Sequence, residues 1–136
     1  MLSQKVFYAV HALLILADQK NATPIQIKEI ANICDLSLKY LETVFSQLKK
    51  AGIVQSIRGS KGGYFLIKSI DQIMLDDLML LFDGPLKLLS DSTFFSSDLN
   101  AFLDCKQSQL QVHLQISLEQ LYLHQHKNNN VLNYSI

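Results

Sequence analysis

Lys39, Glu42, Thr43, Ser46 and Lys50 stand within one twelve-residue stretch, interleaved with Leu38, Leu41, Phe45 and Leu48. The apolar set recurs at three- and four-residue steps, so it takes one face of a helix and leaves the polar set on the opposite face. Lysines and a carboxylate in such a row suit a polar, charged surface. Lys meets phosphate or guanine, and Glu accepts from the cytosine amino group. Just beyond lies Arg58-Gly59-Ser60-Lys61-Gly62-Gly63, a loop with two positive charges.

The elements that must hold these residues are legible around them. Ser37 offers a hydroxyl to cap the helix start, and Gly52 stands where a C-terminal cap belongs. Two β-prone runs, 53–57 and 64–67, flank the basic loop and predict a hairpin. Upstream, a helix over 4–19 is followed by the turn Asn21-Ala22-Thr23-Pro24 and a second helix over 26–33. Cys34-Asp35-Leu36 then makes a short turn, with Asp35 a type that tolerates left-handed backbone. Two short helices across such a turn fit helix-turn-helix geometry. A polar helix face beside a basic hairpin is the layout of its winged form.

The 136 residues fit one domain with an appended element, and 49% hydrophobic content is enough for a core and too much for disorder. The longest uninterrupted apolar run, 12–17, is far short of the roughly 20 residues that span a bilayer. No signal-peptide pattern follows Lys5, so a cytoplasmic protein without membrane contact is expected. The formal net charge is zero, but its distribution is not even. Residues 1–68 hold nine basic and four acidic side chains (+5), and residues 69–136 hold three and eight (−5). Such asymmetry directs the first half to a polyanion.

The first helix is apolar almost all the way round, which requires cover on more than one side. A helix over 75–82 ends at Asp83-Gly84-Pro85. A long helix begins near Ser97 or Asp98, with an apolar stripe at Leu99, Phe102, Leu103, Leu110 and Leu114. It is expected to pack against the first helix or a twin. Ser117-Leu118-Glu119-Gln120 reads as a capping box, starting a short final helix through Leu123. The resulting division is 1–85 as the winged helix-turn-helix domain, 86–97 as a loop, 98–123 as the dimerisation and terminal helices, and 124–136 as a disordered tail.

Together these segments resemble the Rrf2 family of bacterial transcription regulators. The matching pieces are K-x-x-Y-A-V-x-A-L-x-x-L-A (5–17), I-x-x-I-A (27–31), L-S-L-K-Y-L-E-x-x-F-S-x-L-K-K-A-G-I-V (36–54), S-I-R-G-x-x-G-G-Y (56–64), I-x-L-x-D-L (73–78) and D-G-P (83–85). They cover about the first two thirds of the chain. The resemblance implies a mainly α fold: a winged helix-turn-helix with a two-stranded hairpin wing and a long C-terminal dimerisation helix. It implies a homodimeric repressor that binds an inverted repeat in double-stranded DNA. Ser37, Lys39, Tyr40 and Glu42 match its DNA-facing helix start, Arg58 its minor-groove arginine, and Lys5 a basic residue near the DNA backbone. The expected DNA-binding set is Lys5, Lys28, Ser37, Lys39, Tyr40, Glu42, Thr43, Ser46, Lys50, Arg58, Gly59, Ser60 and Lys61.

Three departures from the family pattern bear on function. Many members hold an iron–sulfur cluster with three cysteines between the Gly-Pro and the long helix, whereas residues 86–104 contain none here. The chain thus resembles the cluster-free branch, with no cofactor. Phe7 replaces a frequent basic residue, and Met74 stands where a hydroxyl cap is common. No nucleophile–base–orienter set points to an enzyme. Two alternatives stay open: an interaction regulator whose C-terminal half binds a partner enzyme, and a redox or iron–sulfur sensor acting through Cys105.

Overall fold

Capping chemistry fixes where the first helices begin and end. The hydroxyl of Ser3 accepts from the Val6 amide at 3.3 Å and opens α1 (Gln4–Ala17). Asp35, at φ 53°, closes α2 (Ile27–Cys34), and the Leu36 amide returns to the Ala31 carbonyl at 2.9 Å. Ser37 accepts from the Tyr40 amide and starts α3 (Leu38–Lys50). Gly52, at φ 74°, lets the Ile53 amide reach back to the Leu48 carbonyl at 3.0 Å. The computed structural model describes residues 2–88 and 95–134. Beyond α3 come β1 (Val54–Ile57), β2 (Gly63–Leu66), α4 (Leu75–Asp83), α5 (Ser97–His113) and α6 (Leu118–Tyr134).

The hairpin is antiparallel and pairs Val54 with Leu66 and Ile57 with Gly63. Its outer edge is not left open. Ile25 and Tyr64 exchange two backbone hydrogen bonds, at 3.0 and 2.7 Å, which covers the β2 edge with the segment entering α2. This close approach explains the glycine pair. A Cβ on Gly63 would collide with the Ile25 backbone, and one on Gly62 with the Ile57 carbonyl. Gly63 also sits at φ 146°. The glycines therefore serve backbone packing at a hairpin, as their place between two strands suggested.

The core gathers where the sequence placed it. Leu41, Val44, Phe45 and Leu48 of α3 are buried against Val6, Ala9, Leu13 and Leu16 of α1 and Ile30 of α2. α1 is packed by α2, α3, β2, α4 and α6, which cover most of its apolar surface but leave Phe7 exposed. The cover comes from a different helix than expected. α6, not α5, packs on α1, and α5 buries no residue. The reason lies in the chain between them. The Leu75 amide donates to the Ile116 carbonyl at 2.8 Å and the Leu118 amide to the Ile73 carbonyl at 2.7 Å. These bonds pin the start of α6 beside α4 and bury Leu118. The first also pairs an α4 first-turn amide that Met74 cannot cap.

The expected capping box forms. Gln120 Oε1 accepts from the Ser117 amide at 2.8 Å, and Ser117 Oγ accepts from the Gln120 amide at 3.2 Å. The helix it starts does not stop at Leu123. It runs to Tyr134, so the segment from His124 is helical rather than a disordered tail. No Gly or Pro interrupts that run, and a nucleated helix propagates at small cost per residue. His126 adds a tertiary contact. Its Nε2 lies 3.0 Å from Asp18 at the end of α1, and its ring stacks on Tyr122. Half of the loop expected at 86–97, residues 89–94, lies outside the described residues. Among the described residues no helix is long and apolar enough to cross a membrane.

Gly63→Ala should destabilise the fold by about 2–3 kcal/mol, through left-handed strain and loss of the Ile25 pairing. Equilibrium urea unfolding checks this, and an unchanged midpoint would refute the packing role.

Candidate nucleic-acid interface

Burial of Leu41, Phe45 and Leu48 turns the other side of α3 outward. Lys39, Glu42, Thr43, Ser46 and Lys50 are all exposed there. They line one open groove, together with Gln47. The Thr43 hydroxyl donates to the Lys39 carbonyl at 3.3 Å, so its oxygen still offers lone pairs outward. Gln47 was missed by sequence reasoning. It stands one helical turn past Thr43, the signal that could have included it. Its Oε1 is buried with no hydrogen-bond partner among the described residues.

The remaining predicted residues divide by location. The Ser37 hydroxyl is engaged as the α3 cap. Tyr40 is half-buried, its ring edge-on to Tyr8 of α1 with centroids 5.0 Å apart. It joins α3 to α1 rather than standing fully on the outward row. Lys5 lies one turn before Tyr8, on the side of α1 that meets Tyr40. Arg58, Gly59, Ser60 and Lys61 are exposed at the hairpin tip. Lys28 is exposed on α2, lining a groove with Gly59 and Ser56, so the structure brings it to the wing.

A second lysine, absent from the expected set, also serves this region. Lys49 Nζ donates to Ser56 Oγ at 2.9 Å, joining the end of α3 to β1. Phe45 and Tyr64 meet with ring centroids 4.6 Å apart. The helix and the hairpin are thus held as one unit.

The family model for Rrf2, described as an iron-dependent transcriptional regulator, matches residues 2–126. The chain belongs to the Rrf2 family. It is 40% identical over 89 residues to an Rrf2-like helix-turn-helix regulator of Rhodobacter capsulatus, taking in 63% of this chain and 59% of that one. It is 38% identical over 85 residues to the regulator CymR of Bacillus subtilis, 62% of each chain. The chain therefore spans about three fifths of these relatives' own lengths. The solved structure of Bacillus subtilis CymR, described as the global cysteine regulator, superposes with a TM-score of 0.80. That match has 29% identity and covers 91% of this chain and 97% of that one. The chain thus carries the winged-helix fold of the Rrf2 family.

The family description raises iron, and the donor set here can be tested against it. This Rrf2 protein has two cysteines. Cys34 is half-buried at the end of α2, and Cys105 is exposed on α5. Among the described residues no three His, Cys, Asp or Glu side chains converge as a metal site. These residues do not fit a thiolate-held cluster, which takes four ligands.

Burial raises the Cys34 thiol above its usual range, so less of it is thiolate at a given pH. Near pH 8, a maleimide should modify Cys105 well before Cys34, with Cys34 catching up only in more alkaline solution. Timed labelling read by mass spectrometry checks the order, and faster labelling of Cys34 would contradict it.

Proposed function

We propose that this protein is a homodimeric repressor that binds an inverted repeat in double-stranded DNA without an iron–sulfur cluster. The observation that carries the reading is the exposed row on α3, Lys39, Glu42, Thr43, Ser46 and Lys50, held to the root of a wing whose tip bears Arg58 and Lys61. In this reading α3 enters the major groove, where Glu42 and Lys39 meet base edges. Lys5, Lys28, Lys50 and Lys61 dock on phosphates, which position the protein without reading sequence. Arg58 enters the minor groove, whose negative potential is deepest where it is narrow.

The dimer is supported by α5. None of its residues is fully buried within the chain, and Leu99, Phe102 and Leu110 of its apolar stripe are 40, 56 and 39% exposed. A second copy covering this stripe gives two α3 helices related by two-fold symmetry, which matches an inverted repeat. The acidic character of the second half keeps that surface away from DNA.

Selection from a random duplex pool tests the reading. One inverted repeat should be enriched, with affinity falling steeply as salt rises. Arg58→Ala should cost about 1–3 kcal/mol of binding while sedimentation still reports a dimer. Lys39→Ala should weaken binding as well. No enriched sequence, or a monomer at working concentration, would overturn it. Iron bound by protein prepared without oxygen would overturn the cluster-free assignment.

A further inference from the structure

Gln26 occupies the N-cap position of α2 but caps nothing: its side chain makes no cap hydrogen bond. The side chain reaches elsewhere. Its Nε2 donates to the Ser60 carbonyl at 3.4 Å, across 34 residues of sequence. Ser60 lies at the tip of the wing, inside the turn closed by the Gly62 amide on the Gly59 carbonyl at 3.0 Å. Arg58 and Lys61 flank it on either side.

The rest of the wing is held by other means. Its root is fixed by Lys49 on Ser56, by Phe45 on Tyr64, and by the two backbone bonds between Ile25 and Tyr64. All of these lie at or below the last strand pair, Ile57 with Gly63. The tip, residues 58–61, projects beyond that pair and is exposed throughout. Gly59, at φ 119° with open space around it, lends the tip freedom rather than stiffness. The Gln26 amide acts on this segment. Because Ile25 is itself clamped to β2, Gln26 starts from a fixed backbone position and can transmit that fixity to Ser60.

We propose that Gln26 is a positioning residue for Arg58: by holding the Ser60 carbonyl, it orders the wing tip before DNA arrives. The inference rests on the DNA-binding reading above and extends it to a residue outside the expected DNA-binding set. A tip ordered in advance does not lose that freedom on binding, so affinity rises without a new contact. The consequence is specific. Removing the tether should weaken what Arg58 contributes and leave the number of phosphate contacts unchanged.

Four full-length proteins test this on the selected repeat: parent, Gln26→Met, Arg58→Ala and the double variant. Met keeps the side-chain length and removes the N–H donor. Gln26→Met should lose about 5-fold in affinity, the scale of one hydrogen bond. The slope of affinity against salt should stay unchanged. In the Arg58→Ala background the same change should have no effect, because there is nothing left to position. In the free protein, amide relaxation should show lower order at Gly59 and Lys61 in Gln26→Met than in the parent. Unchanged affinity, unchanged tip order, or an equal loss in both backgrounds would overturn the role of Gln26. A parent chain that selects no sequence, or an Arg58→Ala variant that binds as well as the parent, would instead sink the DNA-binding reading, and the role of Gln26 with it.

Discussion

Phe45 is the residue on which both halves of the interface depend. It is fully buried on α3, and its ring meets Tyr64 of β2 at 4.6 Å. A helix repeats every 3.6 residues, so seating Phe45, Leu41 and Leu48 inward leaves Lys39, Glu42, Thr43 and Ser46 outward with no further instruction. The same ring anchors the hairpin. Interiors are packed as tightly as organic crystals, so neither partner can shift without opening a void. One aromatic contact therefore sets both the roll of the helix and the place of the wing beside it.

The wing shows how main-chain contact can dictate residue type. Ile25 pairs with Tyr64 on the free edge of β2, at an approach that leaves no room for a side chain at Gly63. A glycine-rich stretch beside two cations could be taken for a phosphate cradle. Here Gly62 and Gly63 are required by the backbone of Ile57 and Ile25, and the cations are carried outward on the turn. Exposed charge and backbone packing thus occupy adjacent residues of one short segment without competing.

The second half of the chain divides two tasks between two helices. α6 completes the domain: Leu118 enters the core, and Asp18 at the end of α1 meets His126 and the Tyr122 hydroxyl. That hydrogen bond to Asp18, with burial and the nearby carboxylate charge, raises the Tyr122 phenol. α5 contributes no buried residue to the core and leaves Leu99, Phe102 and Leu110 on the surface.

Local chemistry in the sequence determined most of the winged domain. The 3.6-residue period of 38–50, the Ser37 and Gly52 caps, the left-handed Asp35 turn and the two β-prone runs each act within a few residues, so each could be read without knowing the fold. The capping box at Ser117 was legible for the same reason. Tertiary structure decided what depends on distant backbone. The pairing of Ile25 with Tyr64, the reach of Gln26 to Ser60 and the place of Tyr40 against Tyr8 join residues that no periodicity links. The choice of α6 over α5 as the cover for α1 is of the same kind. Both helices carry apolar residues, and the backbone bonds from 73–75 to 116–118, with the His126 and Tyr122 contacts to Asp18, select between them. Sequence fixes what a segment can bury; the competition among segments for one surface is settled only when the whole chain is folded.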